Sequence, residues 1–236
     1  MDLKSIMIKD LVSIITPTYN SSQFIKETIN SILNQSYTNW ELLITDDCST
    51  DNSIEIISQY AQQDSRIKLF CLSENSGAGI ARNNSIKYAK GRFIAFCDSD
   101  DKWLPEKLEK QVAFMLKHEY ALVYSSYFTC TENGKLEGKV LCRPEVSYYD
   151  LVKENCIGCL TAMYDTKRLG KIYMPTIRKR QDWALWLITL KQCRYAYGIL
   201  DPLAIYRLRR NSLSSNRLNL ISYNIKIYRD VLYYSI

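Results

Sequence analysis

Short apolar runs alternate with helix-spaced segments through the first half of this chain, and that alternation leaves few folds open. Residues 11–16 (LVSIIT), 40–45 (WELLIT), 66–72 and 92–97 read as strands. Pro17 is expected to stop the first of them, because it has no N–H for a ladder. Between the strands, residues 22–33 place Phe24, Ile25, Ile29, Ile32 and Leu33 at helical spacing. A second helix runs through Ile54, Ile57 and Tyr60, and a third spans 77–89 with Gly91 as its stop. A fourth helix covers 103–117, with Pro105 in its first turn, and a fifth strand covers 121–128. This order implies an α/β class: right-handed crossovers and a mainly parallel sheet with helices on both faces.

Beyond residue 130 the pattern weakens. A turn at 132–135 leads to a hairpin strand over 139–142, then a short helix near 148–154 and a strand over 160–164. Residues 178–190 read as a helix carrying Trp183, Trp186, Leu187 and Leu190, and 203–206 as a short strand. In the tail, Leu218, Ile221, Ile225, Tyr228 and Leu232 follow an amphipathic helical spacing, suited to core packing or to a membrane interface. No repeat or linker divides the 236 residues, so one continuous domain is expected.

Composition narrows the setting. A net charge of +6 suits anionic ligands or a membrane surface and is too weak to argue for nucleic acid. No run approaches the ~20 apolar residues of a membrane span, and the N-terminus lacks a signal-peptide core. The expectation is a cytoplasmic protein, at most peripheral at the inner face of the plasma membrane. Cys71, Cys97 and Cys193 stand in apolar runs, and Cys156 and Cys159 form the lone C-x-x-C among eight cysteines. With no second pair at zinc spacing and a single histidine, His118, they read as reduced structural thiols. The same scarcity of histidine argues against histidine-based catalysis.

Three polar clusters follow three strands: Thr18-Tyr19-Asn20, Asp46-Asp47 and Asp98-Ser99-Asp100-Asp101. They therefore share the rim where open α/β sheets bind ligands. Three carboxylates within four residues repel one another and resist losing water. Capping the next helix needs one of them. A divalent metal that also binds phosphate oxygens reconciles the three.

The segments Ser13–Asn20 and Asp46–Asp51, then Asn75 with Gly77–Asn83, the aspartates at 98–101, and Gln181-Asp182-Trp183 occur in one order. Together they resemble the family 2 inverting glycosyltransferases, clearly over residues 10–118 and more loosely to about 215. The resemblance implies a GT-A type, Rossmann-like fold, with residues 1–128 as the nucleotide-sugar half and 129–236 as the acceptor-side and C-terminal helical region. It implies that Asp100 holds Mn2+ or Mg2+, with Asp98 at the ribose or metal shell and Asp101 in support. It places Asp47 on the nucleotide base, in a pocket lined by Pro17, Thr18 and Tyr19, and Arg82 on the diphosphate or base. Asp182 would be the general base. The expected donor is a nucleotide sugar, most simply a UDP-sugar, and the acceptor a glycan or lipid-linked glycan.

Two departures stand out. Cys48 replaces the usual glycine, so a left-handed backbone is not expected there. Gln181 replaces a glutamate, which removes a charge beside Asp182. Trp183 and Trp186 offer either core or a sugar platform, with at least one expected in the core. Arg207, Arg209 and Arg210 read as a solvated basic loop, or as contacts to a substrate or carrier diphosphate. Other readings are a haloacid-dehalogenase-like phosphatase, which also places D-x-D after an apolar strand, and a non-catalytic nucleotide-sugar-binding domain.

Overall fold

A computed structural model describes residues 10–209 and 218–232. One twisted sheet of ten strands organises them, and its order makes the site. Strands β1 (Val12–Thr18), β2 (Trp40–Asp46) and β3 (Ile67–Cys71) run parallel, joined by α1 (Ile25–Leu33) and α2 (Ser53–Gln63). After α3 (Ala78–Tyr88), β4 (Phe93–Phe96) returns to the other side of β1, again parallel. The strand order β3-β2-β1-β4 thus reverses at β1/β4, and reversals of this kind open a crevice at the carboxyl ends of the strands.

The second half extends the same sheet in mixed directions. Here β5 (Lys102–Trp103), α4 (Lys107–His118), β6 (Leu122–Cys130), β7 (Leu136–Val140) and β8 (Glu145–Ser147) follow in turn. Then come α5 (Tyr148–Lys153), a 3-10 turn (Cys159–Thr161), β9 (Met163–Asp165), α6 (Thr166–Leu169), α7 (Gln181–Cys193) and β10 (Tyr195–Arg207). Strand β9 inserts antiparallel between β4 and β6, and β10 runs parallel to β6. Helix α8 (Leu218–Lys226) ends in a π-helical turn (Ile227–Val231).

Every residue of β1 and β2 is buried, as a central parallel strand covered on both faces requires. Alternate side chains feed two core layers. Ile15, Leu43 and Phe96 pack with Trp186 and Ile86 of α7 and α3, whereas Ile14, Leu42 and Ile44 pack with Ile29, Ile32 and Val112 of α1 and α4.

Four expectations are corrected. Strand β1 continues through Pro17 to Thr18. Ile15 bonds toward β4, so Pro17, two residues on, faces the same side, where β4 has already ended at Phe96. Its missing N–H therefore leaves no ladder bond unmade. The helix expected from 103 begins at Lys107, because Lys102 and Trp103 pair instead with Ile205 and Ala204. The short strand at 203–206 is the end of a strand of 13 residues, β10, whose register slips around Pro202. Gly91 does not stop α3, which ends at Tyr88 with Ala89 as its cap. A Cβ at Gly91 would lie 2.6 Å from Leu11 O and Ser13 N, so the position needs glycine for close backbone approach.

The tail helix meets the core through Ile227 and Leu232, and the Tyr228 hydroxyl donates to Val152 O at 2.7 Å. Among the described residues no helix is long and apolar enough to cross a membrane.

Candidate active site

The chain leaves β4 in a turn in which Asp101 N–H donates to Asp98 O at 3.0 Å. Helix α1 clamps this turn, because the Thr28 hydroxyl meets both Ser99 O (3.0 Å) and Asp101 O (2.8 Å). Ser99 turns away and pairs its hydroxyl with that of Ser21 at 2.7 Å. Asp98 and Asp100 are left half-buried at the crevice. Each carries a cationic partner: Arg82 Nη2 lies 2.5 Å from Asp98 Oδ1, and Arg209 Nη1 lies 3.1 Å from Asp100 Oδ2. Burial pushes the Asp100 carboxyl above the ordinary aspartate value, and the Asp98 charge adds to the rise against the pull of Arg209. Burial works against the charge on Arg82, but Asp98, with Cys159 and Asp182 beside it, offsets that and the net shift is upward.

Asp101 does not join this pair. It is buried, and its Oδ1 accepts the Arg207 N–H at 2.9 Å. Burial holds its carboxyl well above the usual range, and the bond to Arg207 ties the turn after β4 to the end of β10. Arg207 is likewise no solvated loop residue. It is buried, with Nε on Asp100 O (2.9 Å), Nη1 on Glu132 O (2.6 Å) and Nη2 on Glu27 (2.9 Å). Arg210 lies outside the described residues.

On the other side of the crevice, Asp47 N–H donates to Thr18 O at 2.8 Å. The Asp47 carboxylate accepts Ser76 N–H (2.7 Å) and Gly77 N–H (2.8 Å), while Asn75 Nδ2 donates to Asp47 O. Gly77 bends at φ +97°, a conformation open to glycine, to bring its amide there. Thr18 and Pro17 are buried beside it, the Thr18 hydroxyl has no partner among the described residues, and Tyr19 stands exposed at the open end. Asp46 takes the Ser49 N–H (2.7 Å) and hydroxyl (2.5 Å), folding the chain back tightly over Cys48. Cys48 accordingly adopts φ +67°, against expectation.

Asp182 opens α7 and lies close enough to Arg82 and Asp98 to feel both charges. Burial raises its pKa; Arg82, the Trp183 N–H and the Asn155 amide at 3.1 Å from Oδ2 pull it back, and the net is upward. Gln181 is buried, donates Nε2 to Arg178 O at 2.8 Å and packs on Gly79, where a Cβ would stand 3.0 Å from its Cγ. Trp183 and Trp186 are both core: Trp183 Nε1 donates to Leu151 O, and Trp186 meets Phe96 edge-on at 5.5 Å. Neither offers a sugar platform.

The profile described as glycosyl transferase family 2 matches residues 13–173. The chain belongs to glycosyl transferase family 2. Its relatives include TuaG of Bacillus subtilis (strain 168), named for teichuronic acid biosynthesis, 46% identical over 94% of this chain and 89% of that protein. Another is the Escherichia coli UDP-Glc:alpha-D-GlcNAc-diphosphoundecaprenol beta-1,3-glucosyltransferase WfgD, 42% identical over 88% of this chain and 81% of that one. Among solved structures, S. aureus TarS 1-349 in complex with UDP-GlcNAc superposes with a TM-score of 0.74 at 26% identity. That match covers 91% of this chain and 66% of the TarS chain.

This is therefore a glycosyltransferase of the GT-A fold, and the phosphatase reading falls away. Among the described residues no three His, Cys, Asp or Glu side chains form a cation cage. Two hard carboxylates on one turn fit a family 2 metal nonetheless, since Mg2+ or Mn2+ takes few protein ligands and completes its shell from phosphate and water. Sequence reasoning missed Thr28 and Asn155, which act on the site through hydrogen bonds from distant segments. Cys159, read from sequence as a structural thiol, lies near enough to Arg82, Asp98 and Asp182 to feel their charges, and burial pushes it well up. No local motif marks Thr28 or Asn155, and the C-x-x-C that holds Cys159 does not say where its thiol lies.

Proposed function

We propose that this glycosyltransferase moves a sugar from a UDP-sugar to a hydroxyl of a glycan or lipid-linked glycan, with inversion, in the building of a surface polysaccharide. The observation that carries the reading is Asp182, a carboxylate in the first turn of α7, bonded by Asn155, raised by burial and close enough to Arg82 and Asp98 to feel both charges. A base so placed takes the acceptor hydroxyl's proton on its carboxylate while Asn155 orients it through Oδ2. Asp47, with both oxygens fixed by backbone amides, presents an acceptor edge to a base N–H, and Pro17, Thr18 and Tyr19 line that pocket. Arg82 and Arg209 sit where a leaving diphosphate gathers charge. Asp100 and Asp98 would hold Mn2+ or Mg2+, which neutralises that leaving group when bound. The first half then serves the donor and the second the acceptor. The UDP-GlcNAc complex of TarS and the names of TuaG and WfgD support the donor and the pathway.

The test is Asp182→Asn. It is expected to bind UDP-sugar as the wild type does while transfer falls by roughly three orders of magnitude or more. Near-normal transfer would remove Asp182 as the base, and UDP binding with no turnover by the wild type on any acceptor would favour a binding domain.

A further inference from the structure

The loop entering α7 carries Arg178, Lys179 and Arg180 in succession, immediately before Gln181 and Asp182. Among the described residues no carboxylate lies within ion-pair reach of any of the three. The other arginines around the crevice are all matched: Arg82 to Asp98, Arg209 to Asp100 and Arg207 to Glu27. Arg178 is exposed, and its guanidinium makes a single long contact, 3.3 Å to Asn75 O. Arg180 is held at φ +62°, a strained setting for a residue with a Cβ, and its guanidinium lies 5.3 Å from the centre of the Trp183 ring. Its Nε is buried with no hydrogen-bond partner. A cavity of about 170 Å3 between α3 and this loop is lined by Arg178 and Gln181. Gln181 is neutral and gives its amide proton to Arg178 O, so no negative charge stands between the cations and Asp182.

We infer that Arg178, Lys179 and Arg180 form an anion site for the diphosphate through which the acceptor sugar is linked to its carrier. The inference rests on the proposed role of Asp182. An acceptor whose hydroxyl meets Asp182 holds its own anomeric linkage about one sugar ring away, and Arg180 and Arg178 stand two and four residues before Asp182 on the loop that enters α7. Asp98, Asp100, Arg82 and Arg209 already answer the donor's diphosphate, and all four are paired with one another, so these three unmatched charges are free to serve a second anion. Arginine's planar fork suits a diphosphate, to which it gives paired charge-assisted hydrogen bonds. Gln181 is neutral, so it adds no repulsion to that anion beside Asp182.

The probe is octyl diphosphate, which carries the linkage without the sugar, titrated by calorimetry into the full chain with and without saturating UDP and Mn2+. The wild type is expected to bind it in both cases. Arg178→Ala, on the surface, and Arg180→Met, which keeps the packing on Trp183, should each weaken binding roughly tenfold or more, with UDP affinity unchanged. Arg180→Lys should restore part of the loss. A wild type that binds UDP and not octyl diphosphate overturns the inference, as do variants that bind it like the wild type. Phosphatidylglycerol vesicles separate the other source of phosphate: if the variants lose vesicle binding yet keep octyl diphosphate, the loop reads a membrane surface and the inference falls. Failure of UDP to bind sinks the proposed function instead, and the titration without UDP still decides this site.

Discussion

Cys48 sits in a left-handed conformation that its side chain disfavours, because Asp46 and Ser49 close the loop around it. That conformation costs a residue with a Cβ about 1–2 kcal/mol, while glycine loses an extra 0.5–1 kcal/mol or so of chain entropy on folding. Cys48→Gly is therefore expected to stabilise the protein by about 0.5–1 kcal/mol, read from urea unfolding at unchanged slope; a loss of stability would show that the thiol packs better than its half-exposed position suggests. Asp182 gives a second test at this scale. Since its carboxyl is raised, turnover should fall on acidification at a pH above the ordinary aspartate range, as the base becomes protonated. Asn155 donates to the charged form and so lowers that pKa. Asn155→Ala should move the acid limb of the kcat profile to higher pH, and a limb that stays put would separate the limb from Asp182. The aspartates were legible because strand ends gather on one rim whatever else the chain does. Asn155 was not, because the loop that carries it meets α7 only in the folded molecule.

At the scale of elements, periodicity told apart strand and helix where one face is buried, and failed where pairing overrides it. Trp103 runs straight into the helical pattern yet is drawn into β5 by β10, and the break at Asp201-Pro202 hides the length of β10 from any reading by runs. Helix α4 also buries Lys107 completely, over the Trp103 ring at 4.1 Å and bonded to Gln111 Oε1 at 2.5 Å. Burial pushes its pKa down to about 7. Between that value and the ~10.4 of an unfolded lysine, the unfolded state binds one more proton. Stability from this residue therefore rises with pH across the window, by up to about 1.4 kcal/mol per unit, and is lost as pH falls toward 7. Buried thiols with raised pKa values tilt the slope the other way. The difference between wild type and Lys107→Met isolates the lysine: urea melts from pH 7.5 to 9.5 should show a steeper rise in the wild type, and parallel lines would mean that Lys107 is charged in the fold.

For the whole molecule, the strand–helix alternation was enough to require a mainly parallel sheet with a ligand rim at the carboxyl ends of its strands, while the β1/β4 reversal was left unspecified. It could not show that β9 and β10 weave the second half into the same sheet, since three-residue and irregular strands carry no period. That weaving matters because it puts Arg207 and Arg209, from the far end of β10, against the turn after β4. Without ligands, arginines from two distant segments hold the carboxylates of Asp98 and Asp100. A nucleotide diphosphate alone brings more negative charge to that turn, and a divalent ion alone competes with Arg82 and Arg209. The two together largely offset one another. UDP with Mn2+ should therefore raise the melting temperature by more than the sum of either alone. At about a hundred times the dissociation constant the gain is about 2.7 kcal/mol, or very roughly 5–10 °C for a chain of this size. Asp100→Ala should abolish the Mn2+-dependent part while leaving the unliganded melting temperature close to that of the wild type, because Arg209 then has only a partly exposed ion pair to lose. A persistent Mn2+-dependent rise in that variant would exclude Asp100 as the ligand.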